Sequence, residues 1–183
     1  MRSAAATSGL CLLALCAALL VRVPSSSASE PAKELRPYVS WVVQHSRIET
    51  AEYLRITSKA EWTRLWLRHV GSSSKPERYS DYYNPDRVPT IDFEHCMVVA
   101  VTAGKRHNAA GVDAVSITNE GDHIRFRFRD RTFQTAGPDG GAQAVTPVGF
   151  FVLPRSKLPI VLQEDVQNLK RGDPIWKQRA RLP

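Results

Sequence analysis

Residues 91–101 read Ile91-Asp92-Phe93-Glu94-His95-Cys96-Met97-Val98-Val99-Ala100-Val101, and the fold turns on how this stretch is read. From Val98 to Thr102 the run is apolar on both alternating faces, which predicts a central strand covered on both sides. At its mouth stand three side chains with soft or titratable chemistry, His95, Cys96 and Met97. If the strand already includes them, alternation places His95 and Met97 on one face and Cys96 on the other, so they form no single ligand cluster. No CxxC or HxxxH spacing accompanies them, and His45, His69, His107 and His123 are scattered singly. The expectation is no metal and no cofactor. Cys96 reads as an inert core thiol, since a reactive thiolate needs access and no nucleophile elbow surrounds it. Asp92 and Glu94 would share a strand face about 7 Å apart, with no cleft signal beside them. Asp92 reads instead as a strand-entry residue bonding local backbone amides.

On the N-terminal side of this strand lies the clearest helix. Ser58-Lys59-Ala60-Glu61 is a capping box, and Trp62, Leu65, Trp66 and His69 or Val70 follow at helical spacing up to Gly71. Before it, residues 38–46 and 52–57 are rich in β-branched and aromatic residues and predict two strands. Between helix and central strand, residues 71–90 carry three prolines, a serine triplet and Tyr79, Tyr82 and Tyr83, with no periodicity. A loop of this kind is a candidate partner-binding segment.

On the C-terminal side, residues 104–111 (GKRHNAAG) form a glycine-bounded connection with a basic tip at Lys105, Arg106 and His107. The spacing is not that of a phosphate-binding loop, and the tip is a second candidate for partner contact. Residues 112–119 predict a strand. Residues 123–129 (HIRFRFR) alternate without a break, with Ile124, Phe126 and Phe128 inward and Arg125, Arg127 and Arg129 outward. Together with Arg131 these arginines make a stripe of suitable pitch for an anion, although the aromatics on the other face cannot interleave with it. Residues 145–153 and 160–162 complete the strands, with Pro147 and Pro154 marking an edge or strand ends. The tail from Glu164 to Pro183 reads as polar and basic. The fold class is α+β: a mainly antiparallel sheet domain with one N-terminal amphipathic helix packed on it.

The first 28 residues stand apart from this domain. Arg2, an apolar run over 9–21 and the exit VPSSSAS predict a signal peptide cleaved after Ala28. Residues 29–37 are then a mobile leader and 38–183 a single domain. Cleavage would remove Cys11 and Cys16 and leave Cys96 as the one cysteine of the mature chain. Removing Arg2 and Arg22 from 25 Lys and Arg leaves 23, against 18 Asp and Glu. That excess suits an anionic cell surface or an acidic partner and is too small to imply nucleic acid. No transmembrane segment is expected after cleavage, and the expected location is secreted or periplasmic.

The order of a strand, then ITSKAEWTRLWLRH, PTIDFEHCMVVAVTAGKR, GVDAVSITNEGDHIRFRFRD and TPVGFFVLPRSKLPIVLQE resembles the PrcB C-terminal domain family of exported bacterial proteins. The most specific marks are Ile91-Asp92-Phe93 leading an apolar strand to Gly104, and Thr146-Pro147 ahead of Val152-Leu153-Pro154. Ala110-Gly111-Val112 stands where the family tends to carry a Gly-Gly-aromatic turn. The resemblance implies a non-enzymatic module associated with another exported protein, of which a protease is one example, and it transfers no catalytic residue. Two other classes remain open from the residues. One is an enzyme using His107, Asp113, Asp92 and Arg125; the other is a polyanion-binding surface built on the arginine stripe.

Overall fold

A computed structural model describes residues 32–71, 88–135, 141–167 and 172–183. The expected signal segment and the candidate tyrosines Tyr79, Tyr82 and Tyr83 lie outside the described residues. In chain order the elements are β1 (Lys33–Glu34), β2 (Val39–Val43), β3 (Ala51–Ile56), α1 (Lys59–Val70), β4 (Cys96–Ala103), β5 (Arg106–His107) and β6 (Ala109–Asn119). They continue with β7 (Ile124–Thr132), β8 (Ala144–Val145), β9 (Val148–Pro154), β10 (Ile160–Asp165) and β11 (Trp176–Leu182).

The doubly apolar strand sets the architecture. Alternation along β4 sends Met97, Val99, Val101 and Ala103 into one core and Val98 and Ala100 into a second. β4 and β9 form the middle of a four-stranded sheet of order β2-β9-β4-β3. One face of that sheet packs on a five-stranded sheet of order β1-β6-β7-β10-β11, through Phe151 and Leu153 against Ile124, Phe126, Phe128, Ile160 and Leu162. The other face is covered by α1, whose Trp62 and Leu65 meet Val98, Ala100, Phe150 and Val152. The result is three layers with β4 in the central one, as its composition predicts.

The fold class is the expected one, but the strands are divided between two stacked sheets and a short β5-β8 pair rather than laid in one sheet. Among the described residues the strand pairs are antiparallel except β7 with β10, which run parallel. A polar outer face and an apolar inner face on β7 explain the stacking, because Phe126 and Phe128 need a cover that one sheet does not supply. β9 is central rather than marginal; its prolines sit at the strand's margins, where no ladder donor is lost.

Two expectations are corrected. Part of the stretch read as a mobile leader is paired: Lys33 and Glu34 oppose Asn119 and Thr118, and Leu35 packs on the core. Part of the stretch read as a polar tail is β11, which runs antiparallel to β10. Its Ala180 and Leu182 are partly buried against the core, a period-two signal diluted by Lys177, Arg179 and Arg181.

α1 begins as its capping box requires. The Glu61 amide donates to Ser58 Oγ at 3.3 Å, while Glu61 Oε2 accepts from the Thr57 amide at 3.0 Å. At its far end Gly71 adopts φ 83° and donates to Leu67 O at 2.8 Å. The buried helix face joins an aromatic cluster: the Trp62 ring lies 5.8 Å from Trp41 and 5.5 Å from Phe150.

Candidate functional site

Strand order leaves β3 at the margin of the four-stranded sheet, paired only with β4 among the described residues. The Ala103 amide donates to Pro147 O at 3.0 Å, so odd residues of β4 turn their backbone groups toward β9 and even ones toward β3. In the register Glu52↔Thr102, Leu54↔Ala100 and Ile56↔Val98, the backbone groups of Glu52, Leu54 and Ile56 therefore point to β4. Those of Tyr53 and Arg55 point out along the free edge. Buried backbone polar groups seek partners, and an exposed edge is a template for another strand.

Side chains shape both sides of this edge. Toward the five-stranded sheet a groove of about 390 Å³ is lined by Tyr53, Leu54, Arg55, Thr57, Leu182 and Pro183. Toward the helix a groove of about 250 Å³ is lined by Leu54, Arg55, Ile56, Glu61, Arg64, Leu65 and Arg68. Leu54 and Arg55 belong to both. A strand laid on the edge would direct alternate side chains into the two depressions, as strand addition requires.

The electrostatics of the edge are lopsided. Glu52 is taken by Arg68 at 2.6 Å, and Glu61 is engaged in the helix cap. Each carboxyl is held below its usual range, Glu52 chiefly by its bond to Arg68 and Glu61 chiefly by the Thr57 amide. Arg55 donates only to main-chain oxygens, of Leu158 at 3.1 Å and Pro183 at 2.6 Å, and its Nε is buried without a partner. Burial first, and then the nearby charge of Arg155, pull its pKa down. Arg155 donates to the carbonyls of Thr57, at 3.4 Å, and Phe93. Neither arginine is bonded to a carboxylate side chain, and Arg64 of α1 has no ion pair among the described residues.

The residues singled out in the sequence fall in separate places. Lys105 pairs with Glu49 at 2.7 Å, and its amide donates to Glu49 O, which sets the basic tip beside the entrance to β3. Arg106 turns inward to Asp130, 3.4 Å away, while His107 is exposed on β5. The stripe does line the outer face of β7, but most of it is matched. Arg125 pairs with Glu120 at 3.2 Å, and Arg127 donates to Gln163 and lies 4.8 Å from the Trp176 ring centre. Arg131 is held by Asp113 at 2.9 Å, leaving Arg129 as the exposed arginine without an ion pair among the described residues. His107, Asp113, Asp92 and Arg125 make no contact with one another; each is bound, where it is bound, by other residues.

Asp92, Glu94 and His95 lie in a turn ahead of β4, not in the strand, because the chain closes a Cys96 amide to Asp92 O bond of 2.8 Å. The turn gathers their ligand atoms within 4.8 Å of one another, which the alternation argument did not foresee. Asp92 is already engaged, accepting from the Glu94 amide at 2.9 Å and facing His95 Nδ1 at 2.7 Å, and all three side chains are exposed. The strand-entry role read from the sequence is the one these bonds describe. Cys96, expected inside the core, is only half-buried against the helix-side cluster, where burial raises its thiol pKa.

A second polar group lies between the sheets. Asp130 and Glu164 point inward from β7 and β10; Glu164 is bonded to Arg179, and Asp130 Oδ1 is buried without a partner. Burial, reinforced by Glu164 and opposed by Arg106, pushes the Asp130 carboxyl above its usual range. The HIRFRFR pattern drew attention to the outward arginines and away from this inward aspartate. No helix among the described residues is long and apolar enough to cross a membrane. A scan against protein-family models, a search of curated proteins and a search of solved structures each found no match.

Proposed function

We propose that this protein is an exported, non-enzymatic binding module that holds another exported protein along the free edge of β3. The observation that carries the reading is the unpaired edge flanked on both sides by grooves that share Leu54 and Arg55. Main-chain bonds from Tyr53 and Arg55 would supply affinity, and the two grooves would select side chains. The sequence's export signal and its resemblance to a protease-associated family support an exported protease, or a component of its complex, as the partner.

The test is site-specific photo-crosslinking. A photoreactive residue at position 57, in the groove on the five-stranded-sheet side of β3, should trap a discrete protein from envelope extract. The same residue at position 129, on the outer face of the other sheet, should not. Equal products from both positions, or none from either, would count against the proposal.

A further inference from the structure

We infer that the segment received by β3 is extended and acidic, with carboxylates set against Arg55, Arg64 and Arg155. This rests on the reading of β3 as a docking edge and adds the chemistry of what docks there. Both carboxylates beside the grooves, Glu52 and Glu61, are engaged by Arg68 and by the helix cap. Arg55 and Arg155 bond main-chain oxygens, and Arg64, whose charge reaches Glu61, makes no ion pair among the described residues. Arg55 contributes a buried Nε–H that bonds nothing and shares its surroundings with Arg155. Arg64 and Arg155 are exposed and bonded to no carboxylate side chain, so they complement an incoming anion, and Arg55 adds a partly desolvated charge beside them. In an extended partner, residues two apart point to the same side, so every second residue acidic would set one row of carboxylates into the helix-side groove, which both Arg55 and Arg64 line. A second copy of this chain fits less well. Pairing β3 with β3 would bring two sets of these arginines together, and like charges juxtaposed across an interface disfavour it.

The experiment uses the mature protein and three end-blocked peptides in which valine alternates with glutamate, glutamine or lysine. The glutamate peptide should bind at least about tenfold more tightly than the glutamine peptide, and the lysine peptide should not bind. Raising salt should weaken the glutamate complex. Arg64→Glu, on the exposed side of α1, should lower that affinity by about tenfold without changing the melting temperature. Arg129→Glu, the same charge reversal on the far sheet, should leave affinity unchanged. Equal binding of the glutamate and glutamine peptides would overturn the acidic partner while leaving the docking edge standing. Failure of all three peptides to bind would overturn the edge reading as well. An equal loss in both variants, or dimerisation of the protein abolished by Arg64→Glu, would also overturn the inference, the latter in favour of a second copy.

Discussion

Arg55 and His69 show how single side chains carry this account. Arg55 is an inward-tilted charge on a sheet margin, bonded to main-chain oxygens alone. His69 lies on the buried face of α1, its ring 5.3 Å from Trp66 and 5.2 Å from Phe150, with Nδ1 unpartnered. Burial lowers its pKa below the ordinary histidine value. The unfolded chain therefore binds a proton that the folded chain refuses, so this histidine costs stability as pH falls below about 6.5 and is neutral above it. Urea midpoints measured from pH 8 down to about 5 should fall over that range, and His69→Leu should flatten the slope. An unchanged slope would remove His69 from the account. Asp130 has the opposite sign. Its carboxyl is raised, so the folded chain binds the proton more readily, and the wild type gains stability as pH falls through that raised value. Asp130→Asn should stabilise the protein by about 0.5–1 kcal/mol near neutral pH, since it removes a buried charge, and the gain should vanish in acid. Urea unfolding of both proteins at two pH values checks this. The inward aspartate was legible only as the polar exception on an apolar face, whereas the bond that Asp92 accepts from a local amide was anticipated and the half-burial of Cys96, expected inside the core, was not.

At the scale of elements, local signals were read well where one principle acts alone. The helix is the clearest case, since cap, spacing and stop agree. Ser58→Ala should cost about 1 kcal/mol by freeing the Glu61 amide, measured as a drop in the denaturation midpoint. The strand of 98–102 was legible from its apolar faces, and β7 from its alternation. β1 and β11 were not. Two residues carry no period, and in β11 the basic side chains outweigh Ala180 and Leu182 until tertiary contacts decide. The turn at Asp92 was missed for a related reason: alternation was carried four residues ahead of the strand's start, where a side-chain-to-amide bond already governs the chain. The candidate groove was less legible still. Its margin is defined by which strand lies outermost, a property of sheet order that no local spacing encodes.

In the whole molecule, two sheets and a helix are held at close approach, and glycines mark where. A Cβ at Gly149 would meet Val112 O at 2.7 Å and the Phe151 ring at 2.6 Å. Gly111, at φ 149°, would direct one into Val42 Cγ1 at 2.2 Å. Gly149→Ala should therefore destabilise the fold by about 1–3 kcal/mol through overpacking at the junction of β6 and β9, seen as a lower melting temperature. The layering pairs β9 and β4 on both sides and leaves β2 and β3 outermost, and of these two β3 is the one with grooves lined by arginines. That asymmetry is the basis of the functional reading, and residue-resolved amide hydrogen exchange tests it most directly. In the free protein the amides of Tyr53 and Arg55 should exchange rapidly while that of Leu54, bonded to β4, is protected. With the partner or the glutamate peptide bound, Tyr53 and Arg55 should become protected and the outer face of β7 should not change. A complex in which these two amides still exchange as fast as in the free protein would contradict docking at the β3 edge.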